Sequence, residues 1–209
     1  MQFSEEIDLR SGLAYDPTVK GSDSSFWKGD TGVNLPADSV QLRVTGSGAS
    51  SYSQYLYGDF EFTMRFDSLS PDSNDSEKRW GLQNIGDTRE RGAAYFEMAY
   101  DTVAGTDTAT TRPFRAVIRA EDGTRQRKNI TWDTLWNNSL NRYRITWEAD
   151  GYSFLVNDTV YATLGDKPDS SNSTFQINTS IPQALRLSNR SADSMDASFV
   201  LVRHARKII

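Results

Sequence analysis

The chain has 209 residues, a formal net charge of −5 and no cysteine. A chain of this length suits a single domain, which we expect to span residues 1–209. Without cysteine there is no disulfide, thiolate metal site or cysteine nucleophile, and the single histidine, His204, argues against a His-rich metal centre. The acidic balance argues against nucleic-acid binding, which needs a concentrated basic surface.

Residues 1–10, MQFSEEIDLR, show no signal peptide, because acidic side chains stand where a leader would carry basic ones. No stretch approaches the roughly 18 apolar residues of a membrane span, so we expect no membrane insertion. The composition favours Asp over Glu, 20 to 8, and Arg over Lys, 17 to 6. This bias is typical of salt-adapted proteins.

Short strands with alternating polarity recur along the chain. In chain order, the pattern predicts strands over residues 40–45, 60–66, 95–101, 114–120, 142–148, 152–156, 184–188 and 197–204. The clearest is FEFTMRF at 60–66, whose Phe and Met side chains point one way and whose polar side chains point the other.

The connections between these strands have their own signals. Asp-Gly pairs at Asp122-Gly123 and Asp150-Gly151 predict tight hairpin turns. A helical turn is expected at 132–137, and polar stretches at 46–52, 68–76 and 166–174 are interpreted as loops. Together these features predict an all-β fold, a two-sheet antiparallel β-sandwich of jelly-roll type.

Three segments resemble the concanavalin A-like lectin/glucanase superfamily, in particular glycoside hydrolase family 16 and laminin G-like jelly rolls. These segments are YGDFEFTMRF at 57–66, the pair RYRITWEADG at 142–151 and FLVND at 154–158, and the closing strands LRLSN at 185–189 and FVLVR at 199–203. The resemblance covers nearly the whole chain and implies a concanavalin A-like β-sandwich.

The resemblance also implies a place for catalysis. Family 16 enzymes carry Glu-x-Asp-x-(x)-Glu on one strand, which sets a nucleophile and a general acid on one face. Here the corresponding segment is YFEMAYD, so Glu97 stands at the nucleophile position and Asp101 at the acid position, whereas Ala99 replaces the central aspartate. These departures indicate a degenerate site and favour a protein that is not an enzyme.

A binding surface is a second expectation. If the phenylalanines of 60–66 face the core, charged side chains from several strands form a grid over one sheet. Its arginines Arg65, Arg115 and Arg144 could bind an acidic or polar glycan together with Glu97, or form a ladder of structural cross-strand pairs. Trp80 and Trp136 are candidates to stack on sugar rings, although large aromatic side chains are more often part of the core.

Cofactors and modifications remain open. We expect no metal, with calcium as an alternative at residues 72–77 or 193–196, although neither segment has the EF-hand pattern. Seven Asn-x-Ser/Thr sequons among eleven asparagines indicate a glycosylated outer-surface protein.

Our leading hypothesis is a non-catalytic, surface-exposed recognition or structural module that binds a glycan or a neighbouring protein subunit. Homo-oligomers or a larger assembly are compatible with it. An extracellular surface or a virion of a salt-adapted host, as a surface, tail or decoration protein, would explain the composition. The alternative is a secreted hydrolase resembling family 16 that acts on a β-glucan or an acidic polysaccharide, with Glu97 as nucleophile and Asp101 as acid.

Overall fold

The computed structural model describes residues 3–8, 27–29, 33–34, 42–44, 47–66, 77–84, 89–98, 114–165, 180–189 and 195–207. In the first four strands, the start of the fifth and parts of the last, only the backbone is described. None of the described helices is long and apolar enough to cross a membrane.

Fifteen strands and one short 3₁₀ helix make up the described fold. The strands are β1 (Phe3–Asp8), β2 (Trp27–Gly29), β3 (Val33–Asn34), β4 (Leu42–Val44), β5 (Ser47–Leu56), β6 (Gly58–Phe66), β7 (Lys78–Gln83), β8 (Ala94–Met98), β9 (Phe114–Arg119), β10 (Arg125–Ile130), β11 (Asn141–Trp147), β12 (Gly151–Val156), β13 (Thr159–Gly165), β14 (Gln183–Asn189) and β15 (Met195–Lys207). The 3₁₀ helix is Thr134–Trp136, inside the helical turn expected at 132–137.

The strands form two antiparallel sheets. Sheet I runs in the order β13-β12-β11-β6-β15, and β15 then pairs with β1 and β4 along successive parts of its length, with β3 beside β4. Sheet II runs in the order β10-β9-β8-β7-β14-β5, with β2 on the far side of β5. The predicted two-sheet antiparallel sandwich is confirmed.

The sheets pack face to face through a core rich in aromatic side chains. Alternation along β6 places its apolar residues inward, and Phe66 of sheet I lies with its ring 4.8 Å from Trp80 of sheet II. The rings of Phe96 and Phe154 meet edge to face across the same interface, 5.2 Å apart. Burial of rings of this size contributes most of the driving force for sheet packing.

The two sheets are joined at one corner by continuous backbone. The chain passes from β5 in sheet II to β6 in sheet I through Tyr57 and Gly58, which have φ of 55° and 120°. An added Cβ on Gly58 would lie 2.7 Å from the Cα of Ala205, so only glycine fits there. Beside this corner β15 bends at His204, with φ of 55°, and its last residues pair with β5.

One predicted connection is wrong and two are confirmed. The loop expected at 46–52 is mostly strand β5, because its Ser and Gly residues pair with β14 and β2. The turns at Asp122-Gly123 and Asp150-Gly151 join β9 to β10 and β11 to β12, as expected. The loops expected at 68–76 and 166–174 lie outside the described residues.

Candidate functional site

The face of sheet II that points away from the core carries a dense group of charged side chains, which we call the polar face. Strand alternation places it: on β8, Phe96 and Met98 enter the core, whereas Tyr95 and Glu97 point to the other side. Pairing registers set Glu97 directly between Arg79 of β7 and Arg115 of β9.

Glu97 is fully buried, with 0% of its surface exposed. Arg79 Nε donates a hydrogen bond to Glu97 Oε1 over 3.0 Å. The second oxygen, Oε2, forms ion pairs with Arg115 Nε at 3.4 Å and Arg125 Nη1 at 3.9 Å. Both carboxylate oxygens are therefore occupied by guanidinium groups.

Arg79 connects three glutamates. Besides Glu97, it contacts Glu90 Oε1 through Nη1 at 3.0 Å and Glu77 Oε2 through Nη2 at 2.9 Å. Its guanidinium carbon also lies 4.9 Å from the ring centre of Tyr95. The planar guanidinium offers five donors in a fixed fork, which allows one arginine to satisfy several carboxylates at once.

Glu90 closes the network on its other side. Its Oε2 accepts hydrogen bonds from Arg119 Nη2 at 3.2 Å and from Tyr95 Oη at 3.4 Å. Arg119 in turn donates through Nη1 to the carbonyl oxygen of Gly123 at 3.1 Å, in the hairpin turn after β9. Each described glutamate of the network is thus paired with at least one arginine.

The electrostatics of the network keep its arginine charged and its tyrosine neutral. Burial alone lowers the pKa of Arg79, but neighbouring acidic groups outweigh burial and raise the pKa above its ordinary value; they are Tyr95, Glu77, Glu97 and Glu90. Burial raises the pKa of Tyr95, and the opposing attraction of Arg79 does not cancel this effect. Near neutral pH Arg79 is therefore charged and Tyr95 neutral.

A retaining glycosidase needs a nucleophile that substrate can reach and a second carboxyl group about 5 Å away. Glu97 has no exposed surface and is held by arginines on both neighbouring strands. Asp101, the candidate acid, lies outside the described residues. This arrangement suits a structural role of Glu97 in sheet II.

The predicted single grid of charges is wrong, because its members lie on two different sheets. Arg65 and Arg144 belong to β6 and β11 of sheet I, whereas Glu97 and Arg115 belong to sheet II, across the core. The strand pattern indicated correctly which residues point outward but contained no information on which sheet each strand joins.

Four of the predicted ligand residues have contacts that the structure describes: Arg115, Arg144, Trp80 and Trp136. The two arginines form ion pairs, and the two tryptophans pack in the core. Arg144 lies opposite Glu61 and contacts Asp158 Oδ1 at 3.5 Å, as part of an ion-paired surface on sheet I. Arg115 is 1% exposed and pairs with Glu97. The assignment of Trp80 to sugar stacking is wrong, because it is 0% exposed and stacks on Phe96 and Phe114 inside the core.

Trp136 is also a core residue rather than a sugar platform. It lies in the 3₁₀ helix, is 5% exposed, and meets Phe114 and Tyr161 edge to face. Both tryptophans follow the more common structural interpretation of large aromatic residues. Arg65 is half-buried on sheet I, apart from the polar face.

Metal ligation has no support in the described part of the chain, where no group of three or more His, Cys, Asp or Glu side chains could hold an ion. The aspartates of the calcium segment at 193–196 and most of the segment at 72–77 fall outside the side chains that the structure describes. From the latter only Glu77 is described, and it pairs with Arg79.

A polar pocket of about 330 Å³ lies at the β11–β12 turn and the end of β13. Acidic and hydroxyl side chains line it, among them Glu148, Asp150, Ser153 and Thr163. Next to it, the backbone N–H of Gly165 donates to Gln126 Oε1 at 2.9 Å and links the last strands of the two sheets.

Sequence reasoning missed the residue that organises the polar face, Arg79. Strand β7 reads KRWGLQ, and its glycine interrupts the alternation that marks the other strands. Glu90 was missed too, because it stands in the turn before β8 with φ of 52°. An Arg-x-Gly segment opposite Tyr-x-Glu is the only signal, and it becomes informative only once the pairing of β7 with β8 is known.

Comparison with solved structures shows that the two-sheet sandwich is a known fold. The chain is similar to the apo Crh5 transglycosylase, with a TM-score of 0.62, 13% identity and coverage of 97% of this chain and 85% of that one. A β-1,3-glucanase from Mycobacterium marinum gives a TM-score of 0.62 with 17% identity, covering 96% and 97% of the two chains.

A third similar structure is described as an immunostimulatory antigen and pseudo β-1,3-glucanase of Mycobacterium tuberculosis, with a TM-score of 0.59, 15% identity and coverage of 83% and 78%. No protein-family model and no curated protein matches the sequence. At these identities the likeness establishes the fold alone. The chain adopts the concanavalin A-like jelly-roll fold seen in solved structures of glycoside hydrolase family 16.

Proposed function

We propose that this chain is a non-catalytic glycan-binding module of the concanavalin A-like fold. The burial of Glu97 between Arg79 and Arg115 carries the proposal, because it converts the position expected for a nucleophile into a structural ion pair. The similar structures named as glucanases and transglycosylases support a carbohydrate ligand. One of the similar structures is named as a pseudo β-1,3-glucanase.

The second candidate is a hydrolase or transglycosylase that acts on a β-glucan, which the names of the similar structures favour. Such an enzyme needs two carboxyl groups that the substrate can reach, whereas Glu97 is buried between arginines. Placement on a virion or an extracellular surface, and the binding of a neighbouring subunit, stay predictions from composition and sequence pattern.

The test combines an activity assay with a stability measurement on one variant, Glu97→Gln. We expect wild type to retain glycans in affinity electrophoresis and to release no reducing ends from β-glucans or acidic polysaccharides. Glu97→Gln should lower the free energy of unfolding by about 3 kcal/mol, because Arg79 and Arg115 would each lose one charged partner in a buried site.

Glu148→Gln is the matched control, since this glutamate is exposed in the turn between β11 and β12 of the other sheet. It should change the free energy of unfolding by no more than about 0.5 kcal/mol. Hydrolysis by the wild type that is lost in Glu97→Gln but kept in Glu148→Gln would overturn the non-catalytic proposal and favour the hydrolase.

A further inference from the structure

In the described part of the chain, three large apolar side chains are mostly exposed to solvent. They are Leu135 (79% exposed) in the 3₁₀ helix, Leu140 (52%) just before β11 and Val160 (57%) near the start of β13. Single exposed apolar residues are common on protein surfaces and need no explanation. A group of them in one place marks an interaction site.

Contacts between neighbouring segments bring these three residues to the same end of the sandwich. Trp136 of the 3₁₀ helix meets Tyr161 of β13 edge to face, with the ring centres 5.4 Å apart. Asn141, the first residue of β11, donates through Nδ2 to the carbonyl oxygen of Trp136 at 3.0 Å and accepts from Asn157 Nδ2 at 2.9 Å. The 3₁₀ helix, the start of β11 and the β12–β13 turn therefore lie together. We call this region the apolar patch; its members are Trp132, Leu135, Leu140, Val160 and Tyr161.

Two half-buried aromatic rings of the patch are held in fixed orientations. Trp132 and Tyr161 both meet Trp136 edge to face, at ring-centre distances of 5.1 Å and 5.4 Å. Trp132 Nε1 also donates a hydrogen bond to Asn137 Oδ1 at 3.0 Å. Both rings pack against the core and keep part of their surface exposed. Because the rings are already ordered, a ligand that stacks on them loses little affinity to the ordering of side chains.

The segment that carries the 3₁₀ helix is polar but uncharged. Residues 134–141 read TLWNNSLN and contain no ionisable side chain, in a chain of which 24% is charged. Exposed amide and hydroxyl groups stand next to the apolar side chains of this segment; they belong to Asn137, Asn138 and Ser139. Such groups both donate and accept hydrogen bonds.

The charged residues that directly flank this segment have partners of their own. Asp133 Oδ1 accepts a hydrogen bond from the backbone N–H of Leu135 at 2.9 Å. Arg142 pairs with Asp158, whose other carboxylate oxygen lies 3.5 Å from Arg144 Nη2. A ligand on the segment therefore meets apolar, amide and hydroxyl groups. This combination suits an uncharged molecule that has both apolar and hydroxyl-bearing surfaces.

The size of the patch favours a glycan over a protein. A stable protein interface takes about 20–30 residues from each partner, whereas the patch has five members in the described part of the chain. A sugar ring has an apolar face of C–H groups and a rim of hydroxyl groups. The face can stack on an aromatic ring while the rim bonds to nearby amides.

We propose that the apolar patch binds a neutral polysaccharide. Its sugar rings stack on Trp132 and Tyr161 and contact Leu135, and its hydroxyl groups form hydrogen bonds with the amides of Asn137 and Asn138. The inference rests on the proposed glycan-binding function and gives that function a site and a ligand class.

The experiment measures affinity for neutral and charged glycans. Unglycosylated wild type is titrated with laminarin, a neutral β-1,3-glucan, with laminarin sulfate, and with a neutral oligomer of N-acetylglucosamine. We expect at least one of the two neutral glycans to bind and sulfation not to tighten the binding of laminarin. Affinity for the neutral glycan should change by less than about twofold between ionic strengths of about 0.01 M and about 0.15 M, because salt screens only interactions between charges.

Three variants locate the site. Trp132→Ala should weaken the binding of the neutral glycan about tenfold, because one stacking surface is lost. Tyr57→Ala is the matched control and should change affinity by less than about twofold. Tyr57 is also a half-buried aromatic residue, 5.4 Å from Trp147, but it precedes β6, whereas the patch adjoins Phe66 at the other end of that strand.

The third variant covers the case in which Trp132→Ala does not fold, since Trp132 also packs against the core. Leu135→Asp changes a mostly exposed side chain and should weaken binding about fivefold, because it places a hydrated charge where the sugar would pack. Urea unfolding of each variant checks that it is folded.

The other outcomes contradict distinct statements. Tighter binding of laminarin sulfate than of laminarin, or a marked loss of affinity at the higher ionic strength, would overturn the neutral ligand class but leave glycan binding intact. Unchanged affinity in Trp132→Ala and Leu135→Asp, or an equal loss in Tyr57→Ala, would overturn the assignment to the patch. Dimerisation in sedimentation that Leu135→Asp abolishes would make the patch an interface between copies instead. Binding of none of the three glycans would overturn the proposed function itself.

Discussion

Two buried tyrosines of sheet I illustrate how single hydroxyl groups decide stability. Tyr152 Oη donates to the carbonyl oxygen of Gly92 at 3.1 Å, linking β12 to the turn before β8. Tyr143 Oη is buried without a hydrogen-bond partner among the described residues. Both rings lie in the same core, so the two positions differ mainly in whether the hydroxyl group is hydrogen-bonded.

We expect Tyr152→Phe to lower the free energy of unfolding by about 1 kcal/mol, because it removes a buried hydrogen bond and leaves the Gly92 carbonyl unpaired. Tyr143→Phe should be neutral or stabilising, since it removes an unpaired buried polar group. Urea unfolding of the two variants beside wild type measures both. The reverse order would mean that Tyr143 makes the more important hydrogen bond.

At this scale the sequence indicates which residues are chemically distinctive but not what surrounds them. Glu97 was singled out correctly as the acidic residue of β8 that points away from the core. Its partner Arg79 could not be identified, because the pairing of β7 with β8 is a long-range choice that no local pattern encodes. Trp80 was misassigned for a related reason: next to a glycine, its alternation with Leu82 is hard to see.

At the scale of strands, β7 depends on a glycine in an unusual conformation. Gly81 has φ of +150°, and a Cβ at this position would lie 2.5 Å from the carbonyl oxygen of Ala94 and 2.9 Å from Ile145. The glycine lets β7 and β8 approach closely above the core. Because Gly81 interrupts the alternation of apolar and polar residues in β7, the sequence pattern does not predict this strand.

Gly81→Ala should lower the free energy of unfolding by about 3 kcal/mol, through overpacking and backbone strain combined. Gly123→Ala is the matched comparison, because this turn glycine has φ of +86° but its added Cβ would meet only the side chain and backbone of Arg89 at 3.3 Å or more. We expect it to cost about 1 kcal/mol. Equal losses in thermal or urea unfolding would contradict the packing argument.

Strands with strict alternation and an apolar face were predicted well, and polar strands were not. β6 and β11 match the predicted segments 60–66 and 142–148 within two residues, since one side of each faces the core. β5 and β10 consist largely of small or charged residues and are strands because their neighbours offer backbone partners. Tertiary pairing overrides intrinsic propensity in such segments.

At the scale of the whole molecule, buried tyrosines set a limit on alkaline stability. Burial raises the pKa of Tyr95, Tyr143 and Tyr152 above the ordinary value. In the unfolded chain these groups ionise near pH 10. Above that pH the unfolded state releases protons that the folded state retains, so the stability that is complete below about pH 10 declines as pH rises.

We expect the free energy of unfolding to fall between about pH 10 and about pH 12, by up to about 1.4 kcal/mol per pH unit for each of the three tyrosines. Urea unfolding at several pH values measures the slope, and Tyr143→Phe should reduce it by one tyrosine's share. Tyrosinate absorbance that reports these three groups ionising near pH 10 in the native protein would contradict the expectation.

Strand β15 bends at His204 and pairs with strands of both sheets, and its position in sheet I slows folding. β15 lies between β6 and β1 in the middle of sheet I, so Glu6 pairs with Leu201 and Phe62 with Val200. Sheet I cannot close around β15 until residues nearly 200 positions apart in the chain have met. Loops of this length close slowly, and a chain dominated by such contacts folds over milliseconds to seconds or longer. During synthesis one edge of β6 stays unpaired until β15 has left the ribosome, and an unpaired strand edge favours aggregation.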